Sequence, residues 1–143
     1  MKKINLYFAI FSLALLASCT HNDGDIGPLF GTWHVDAIEV DGTPDATYDG
    51  SLFVMFQSNI ADWRIVDEQE HTYVNAWASW LQDGGIITFH FDDDWFPPHA
   101  ITGFAPAISQ PTTVERLTSK ELILVATSSI DGHTRRFICT KQH

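Results

Sequence analysis

The sequence predicts an all-β domain, most simply an eight-stranded antiparallel up-and-down β-barrel, behind an N-terminal export signal. From residue 31 onward, short apolar or alternating segments are separated by turn-forming residues, and no helical segment alternates with them. Closing a meander of strands removes both exposed sheet edges, which favours the barrel. A two-sheet sandwich is the alternative, because the number of strands alone does not distinguish the two architectures.

The N-terminal segment has the anatomy of a secretory signal. Lys2 and Lys3 precede an apolar run over residues 4–16, which is shorter than the roughly 20 apolar residues of a spanning helix. The run ends in Leu16-Ala17-Ser18-Cys19, which resembles the lipobox of bacterial lipoproteins. The resemblance implies thioether lipidation of Cys19, with palmitate as a typical chain, followed by cleavage just before it, at the bacterial outer membrane. An ordinary signal peptide with a chance cysteine is the alternative.

The expected organisation is a signal peptide over residues 1–18, a lipidated cysteine with a flexible tether over 19–30, and a barrel domain over 31–143. The tether is polar, acidic and broken by glycine and proline, so it offers no periodic apolar face. Asp23 and Asp25 shortly after the cysteine are similar to the acidic export signal of Bacteroidetes surface lipoproteins. Display at the cell surface is one interpretation of these acids, and plain solubility is the other.

Eight strands are predicted, and several of them end at a recognisable turn signal. The first stops at Asp41-Gly42, and the fourth is long and aromatic and ends before Gly84-Gly85. The fifth shows clean period-two alternation, and the last three are joined by short polar turns. The predicted strands are Gly31–Val40, Ser51–Gln57, Asp62–Asp67, Thr72–Leu81, Ile86–Asp92, Thr112–Leu117, Glu121–Ser128 and His133–Lys141.

One long segment interrupts this rhythm. Residues 93–110 contain three prolines and one glycine, which exclude a long helix or a ladder strand there. The segment is therefore predicted to be a loop. Since it follows the fifth strand, it is expected to lie at the same end of the barrel as the connections after the first, third and seventh strands.

The domain resembles the lipocalins. Gly31-Thr32-Trp33 matches their Gly-x-Trp signature at the start of the first strand, and the run over residues 73–91 is similar to small lipocalin-like lipoproteins of Bacteroidetes. The resemblance implies a barrel that binds a small hydrophobic or amphipathic ligand at its mouth. Lipocalins usually place an arginine near the end of the last strand, over the tryptophan. Here that end carries Lys141, and Arg135 and Arg136 stand at the start of the strand.

Composition and motifs argue against several other functions. The net charge of −10 opposes binding to nucleic acid. No catalytic motif is found, so neither an enzyme nor a cofactor is predicted. Asp92-Asp93-Asp94 with His90 and His99 could supply metal ligands, but neighbouring strand side chains point oppositely, so a solvated acidic loop is favoured and no metal is expected. Cys139 is interpreted as a small buried hydrophobe.

The barrel mouth is the predicted site, with residues 93–110 as a lid that turns two aromatic side chains toward the opening. Aromatic surface with a few polar anchors suits a small-molecule site. The alternatives are that the aromatic residues simply build the barrel, that the arginines offset nearby acids, and that the loops or outer surface bind a protein as an interaction or inhibitor module. The predicted ligand-binding residues are Tyr48, Trp95, Phe96, His99, Phe104, Arg135 and Arg136.

The lipid anchor is directly testable. A Cys19→Ala variant should move from the membrane to the soluble fraction, because each buried methylene of an acyl chain adds about 0.8 kcal/mol of membrane affinity that this variant lacks. Fractionation of cells with a blot against the protein measures the shift. A variant that stays in the membrane fraction would show that something other than this cysteine holds the protein there.

Overall fold

The computed structural model describes residues 27–92 and 99–143. The predicted signal, Cys19 and most of the tether lie outside the described residues, as do Trp95 and Phe96. Within the described part, no helix has both the length and the hydropathy to cross a membrane.

The described chain forms a closed antiparallel meander. Each of the eight long strands pairs with the next, and the first pairs with the last, with Val40 opposite Arg135 and Trp33 opposite Lys141. This closure confirms the eight-stranded barrel and decides against the sandwich. The elements are β1 (Gly31–Val40), β2 (Thr43–Pro44), β3 (Leu52–Gln57), β4 (Ile60–Asp67), β5 (Thr72–Asp83), β6 (Ile86–Phe91), α1 (His99–Thr102), β7 (Ser109–Leu117), β8 (Glu121–Thr127) and β9 (Thr134–Lys141).

Two elements depart from the sequence prediction. β2 is a two-residue strand that folds back on the end of β1, inside the predicted loop. β7 begins at Ser109, three residues before the predicted start at Thr112, and so includes Pro111. The side-chain amide of Gln110 donates to the carbonyl oxygens of both Pro111 and Thr127, at 3.0 and 3.3 Å. The Gln110 side chain thus links β7 to β8 at a point where backbone hydrogen bonds do not. The strand therefore tolerates the missing N–H of Pro111.

Alternation along the strands fills the barrel interior. Inward positions are apolar and almost fully buried, and the large rings meet mainly edge to face, which is a favourable arrangement of aromatic quadrupoles. Cys139 belongs to this set, as predicted, and burial raises the pKa of its thiol. The largest fully buried side chains are Trp33, Trp63, Phe56, Phe89, Phe91, Phe104, Phe137, Ile38, Leu52, Ile87, Leu122 and Leu124.

The two ends of the barrel differ. At the base, where β1 begins and β9 ends, the connections are short, and the incoming chain closes the opening: the indole N–H of Trp33 donates to the carbonyl oxygen of Leu29 at 2.8 Å. The Lys141 ammonium lies 5.1 Å from the centroid of the Trp33 ring. Lys141 therefore occupies the place over the tryptophan for which the resemblance suggested an arginine. The longer connections, over residues 41–51, 68–71 and 128–133, lie at the opposite end, the mouth, together with the described residues 92 and 99–108 of the connection after β6.

Candidate functional site

Phe104 closes the mouth from within. The connection after β6 turns inward at this residue, and its side chain is fully buried among the core rings. The ring centroid lies 5.1 Å from that of Trp63 and 5.7 Å from that of Phe137. It also lies 5.9 Å from the ring of Phe91 and 6.1 Å from that of Phe89. The loop predicted to act as a lid thus contributes a core residue of the barrel.

A group of polar contacts holds this loop against the β8–β9 connection, and we call it the latch: Gly103, Ser128, Asp131 and Arg135. The hydroxyl of Ser128 donates to the carbonyl oxygen of Gly103 at 2.6 Å. The guanidinium of Arg135 donates to both carboxylate oxygens of Asp131, at 3.1 and 2.7 Å. A bidentate pair of this kind is stronger and more directional than a single neutral hydrogen bond. The latch therefore fixes the loop in the position that keeps Phe104 inside.

The charges of the latch persist at neutral pH. The Arg135 guanidinium and the backbone N–H of His133 hold the pKa of the Asp131 carboxyl well below its usual range. A carboxyl whose folded-state pKa is depressed contributes stability above its unfolded pKa and loses it as the pH falls through the folded value. The latch is thus fully formed at neutral pH and is weakened only in strong acid.

Gly103 permits the close approach on which the latch depends. Its φ of +68° lies in the left-handed region, and a Cβ added there would stand 2.3 Å from Nη1 of Arg135 and 2.9 Å from Cβ of Ser128. Both the backbone conformation and the space favour glycine. This position was missed in the sequence, where a single glycine between Thr102 and Phe104 gives no sign of its distant partners.

Tyr48 connects the mouth loop after β1 to the barrel wall. Its hydroxyl donates to the carbonyl oxygen of Val35 at 2.6 Å and accepts the backbone N–H of Leu52 at 3.0 Å. Burial raises the pKa of the phenol far above its ordinary value. Its geometry fits a structural role, and ligand binding by Tyr48 stays a prediction.

The structure brings only some of the other predicted site residues together. Arg135 lies at the latch beside Gly103, the residue that precedes Phe104 in the chain. Arg136 points to the outside of the barrel instead, where it donates to Glu115 on β7 at 2.7 Å and to Glu39 on β1 at 3.2 Å. His99 begins the short helix α1, and Trp95 and Phe96 lie outside the described residues. Ligand binding by this set is therefore still a prediction.

Trp63 carries a polar group that its surroundings leave unsatisfied. The side chain is fully buried beside Phe104, yet its indole N–H has no hydrogen-bond acceptor. Most buried polar groups in native proteins are paired, since an unpaired one costs about 1–3 kcal/mol. The mouth thus holds one donor, under Phe104, that an added acceptor would satisfy.

The outer wall over β4, β5 and β6 exposes large apolar side chains. Leu81 is 77% exposed, Tyr73 is 57% exposed and Trp77 is 47% exposed, and Ile60 and Ile86 lie on the same wall. All three β5 residues follow the outward alternation of that strand. Of the aromatic residues on β4 and β5, Trp63 and Trp80 point inward, whereas Tyr73 and Trp77 point outward.

A buried ion pair lies within this wall. Asp62 is 1% exposed although it points away from the barrel interior, and it stands opposite Met55 and Trp77 in the strand register. Arg64 donates to the Asp62 carboxylate through Nε at 3.1 Å and through Nη2. The amide of Asn75 donates to the other carboxylate oxygen at 2.9 Å. The Asp62 carboxylate is thereby neutralised beneath apolar neighbours.

A groove runs along the outer faces of β1, β3 and β4 beside the ion pair. Its upper section, at the mouth, has a volume of about 670 Å³, and its lower section has about 240 Å³. Phe53 and Val66 line both sections, so the two are continuous. Part of this was visible in the sequence, because Ser51–Gln57, like Glu121–Ser128, is apolar on both faces, which favours contact with something outside the barrel. Within residues 27–92 and 99–143, no three His, Cys, Asp or Glu side chains cluster as metal ligands would.

Comparison with known proteins supports the fold. No protein-family model matches the sequence, and no curated protein matches it. A lipocalin-like protein from Bacteroides uniformis superposes with a TM-score of 0.64 at 18% identity, over 81% of this chain and 100% of that one. An uncharacterized protein from Bacteroides eggerthii gives a TM-score of 0.64 at 16% identity, over 80% of this chain and 99% of that one. The chain is thus a lipocalin-like β-barrel by structure.

The latch can be tested with a pair of glycine substitutions. Both Gly103→Ala and Gly84→Ala place a side chain at a positive φ, +68° and +58°, but nothing lies within 4 Å of the added Cβ at Gly84. Gly103→Ala should therefore lower the free energy of unfolding by about 1–3 kcal/mol more than Gly84→Ala does, through overpacking. Urea unfolding measures the difference, and equal losses in the two variants would contradict close packing at the latch.

Proposed function

We propose that this chain is a non-enzymatic binding module, attached to the bacterial outer membrane through lipid on Cys19, whose outer wall contacts a protein partner. One observation carries this proposal. The described barrel interior is packed with aromatic side chains, while the large exposed apolar residues Tyr73, Trp77 and Leu81 share one outer strand. Large apolar side chains exposed on one face of a domain favour an interaction site.

The interior offers little room for a carried ligand in this conformation. Phe104 fills the upper interior, and the clefts described above are lined by residues of the outer wall or rim. A lipocalin-like fold does not by itself define the function, because one fold supports many different sites. The filled interior and the apolar wall together support external contact over internal transport.

The position of the tether is consistent with this proposal. The described chain enters at the base of the barrel, where Leu29 packs under Trp33. Residues 20–26 extend at most about 25 Å, so a lipid on Cys19 would keep the base nearest the membrane. The mouth would then point away from the bilayer, and the outer wall would be accessible to another protein from the side.

A small hydrophobic ligand at the mouth is the second candidate function, and the unpaired indole N–H of Trp63 favours it. Withdrawal of Phe104 would open space beside Trp63 for a ligand of about the size of a phenyl ring. A carbonyl or carboxylate oxygen on such a ligand would accept the indole N–H, which pairs a buried donor that is otherwise unsatisfied.

The interaction module predicts that outer-wall substitutions abolish partner binding without unfolding the barrel. A Trp77→Ser and Leu81→Ser double variant should lose the protein cross-linked to the wild-type chain in its own host membranes. Ile108→Ser with Ile130→Ser removes two exposed apolar side chains at the mouth and serves as the control. Cross-linking followed by mass spectrometry measures the loss, with circular dichroism to verify folding. An unchanged partner in the outer-wall variant would reject this function.

The small-ligand function predicts a molecule retained by protein purified from its host. Native mass spectrometry should show it on the wild-type chain, and Trp63→Phe should lower the retained fraction about tenfold, as expected for the loss of one buried hydrogen bond. Tyr73→Phe removes a polar atom from an exposed aromatic residue and should change nothing. Equal retention by wild type and Trp63→Phe would exclude the role given to this indole.

A further inference from the structure

The groove over the outer faces of β1, β3 and β4 has two sections of different character. The lower section is bounded mainly by Phe53, Met55 and Val66, with Thr32 at its side. These apolar side chains point outward from strands whose opposite face already fills the barrel, so the barrel core does not require them. The lower section is thus an apolar trough of about 240 Å³ on the surface.

The upper section is acidic. Asp49, Asp67 and Glu68 line it, and no lysine or arginine stands among its lining residues. The hydroxyl and backbone N–H of Ser51 hold the pKa of Asp49 below its ordinary value, so this acid is charged at neutral pH. His34 also lies there, but one ring nitrogen contacts Asp36 at 2.8 Å and the other contacts the carbonyl oxygen of Gly50 at 2.7 Å. Its hydrogen-bonding capacity is therefore used within the chain.

The positive charge nearest the groove is already compensated. Arg64 lines the lower section, where its guanidinium pairs with Asp62 and stacks 4.4 Å from the Tyr73 ring centroid. The Arg64 guanidinium is thus engaged by Asp62 and by the Tyr73 ring and does not act as a free cation in the groove. The groove as a whole combines a negative upper section with an apolar lower section.

We infer that this groove binds an extended peptide segment of the partner protein in which a lysine or arginine neighbours an aliphatic residue. This inference rests on the proposed interaction function and adds the chemistry of the partner. The cation would lie among Asp49, Asp67 and Glu68, and the aliphatic side chain would lie against Phe53, Met55 and Val66. A second copy of this chain is a poor occupant, because its net charge of −10 opposes approach to an acidic surface.

Three blocked hexapeptides serve as probes, with alternating lysine and leucine, glutamate and leucine, or lysine and serine. The full chain is purified in a neutral detergent and titrated with each peptide by isothermal titration calorimetry. The lysine-leucine peptide should bind at least about tenfold more tightly than either of the others, because only it matches both sections. Equal binding of the lysine-leucine and lysine-serine peptides would overturn the inference, since it would show attraction by net charge alone.

Two matched variants locate the binding. The Asp67→Asn with Glu68→Gln variant should bind the lysine-leucine peptide about tenfold more weakly than wild type. The Asp83→Asn with Glu121→Gln variant changes the net charge by the same amount at the base, and its affinity for the peptide should change little. Equal weakening by both pairs, or none by the first, would overturn the inference.

The two proposals fail in different ways. If the host partner is cross-linked to wild type, lost in the Trp77→Ser and Leu81→Ser variant, and kept by Asp67→Asn with Glu68→Gln, the interaction function stands and the peptide chemistry is wrong. If no partner is found, yet the Asp67→Asn with Glu68→Gln variant binds the lysine-leucine peptide more weakly than the variant at the base does, the groove has the inferred chemistry and the interaction function fails.

Discussion

The pairing of β1 with β9 is the constraint on which the rest of the structure depends. Once these strands close the sheet, every inward position must be filled by a side chain, because an eight-stranded barrel encloses just enough space for its own residues or one small ligand. In this chain the space goes to rings: Trp63 contacts Phe89, Phe104 and Phe137 within the barrel. Closure also sets the two ends, with the incoming chain under Trp33 at the base and the long connections at the mouth.

The latch at the mouth follows from that packing. Phe104 comes from a connection and not from a strand, so it needs polar contacts to hold it where strand neighbours hold the other rings. Ser128 supplies such a contact from the neighbouring β8–β9 connection, and the absence of a side chain at Gly103 allows Ser128 and Arg135 to approach. The same loop therefore closes the interior and limits the size of any ligand that could enter it.

The fold was accessible from the sequence because its signals are local. Period-two alternation and turn pairs indicated the eight long strands, and Gly31-Thr32-Trp33 indicated how the first begins. The latch was not accessible, since Gly103 and Arg135 are distant in the chain and meet only when β8 and β9 lie beside the mouth loop. The early start of β7 was not accessible for a related reason: the sequence shows the missing N–H of Pro111 but not the side-chain amide of Gln110 that donates to Thr127 on β8.

The distribution of side-chain size on β5 connects the core to the outer wall. Its inward positions include Ala76 and Ala78, whereas its outward positions carry Tyr73 and Trp77. Small inward residues are adequate because Trp63, on the neighbouring strand, already fills that part of the interior. The large outward rings add little to the core, yet they border the buried Asp62 carboxylate and the Arg64 guanidinium. A carboxylate buried beneath exposed aromatic side chains costs desolvation, which pairing with the partly exposed Arg64 offsets, but it adds no internal packing. Contact with another molecule on this wall would bury Tyr73 and Trp77 further. Such contact would give a physical reason for placing large rings over a buried carboxylate, a reason that the isolated barrel lacks.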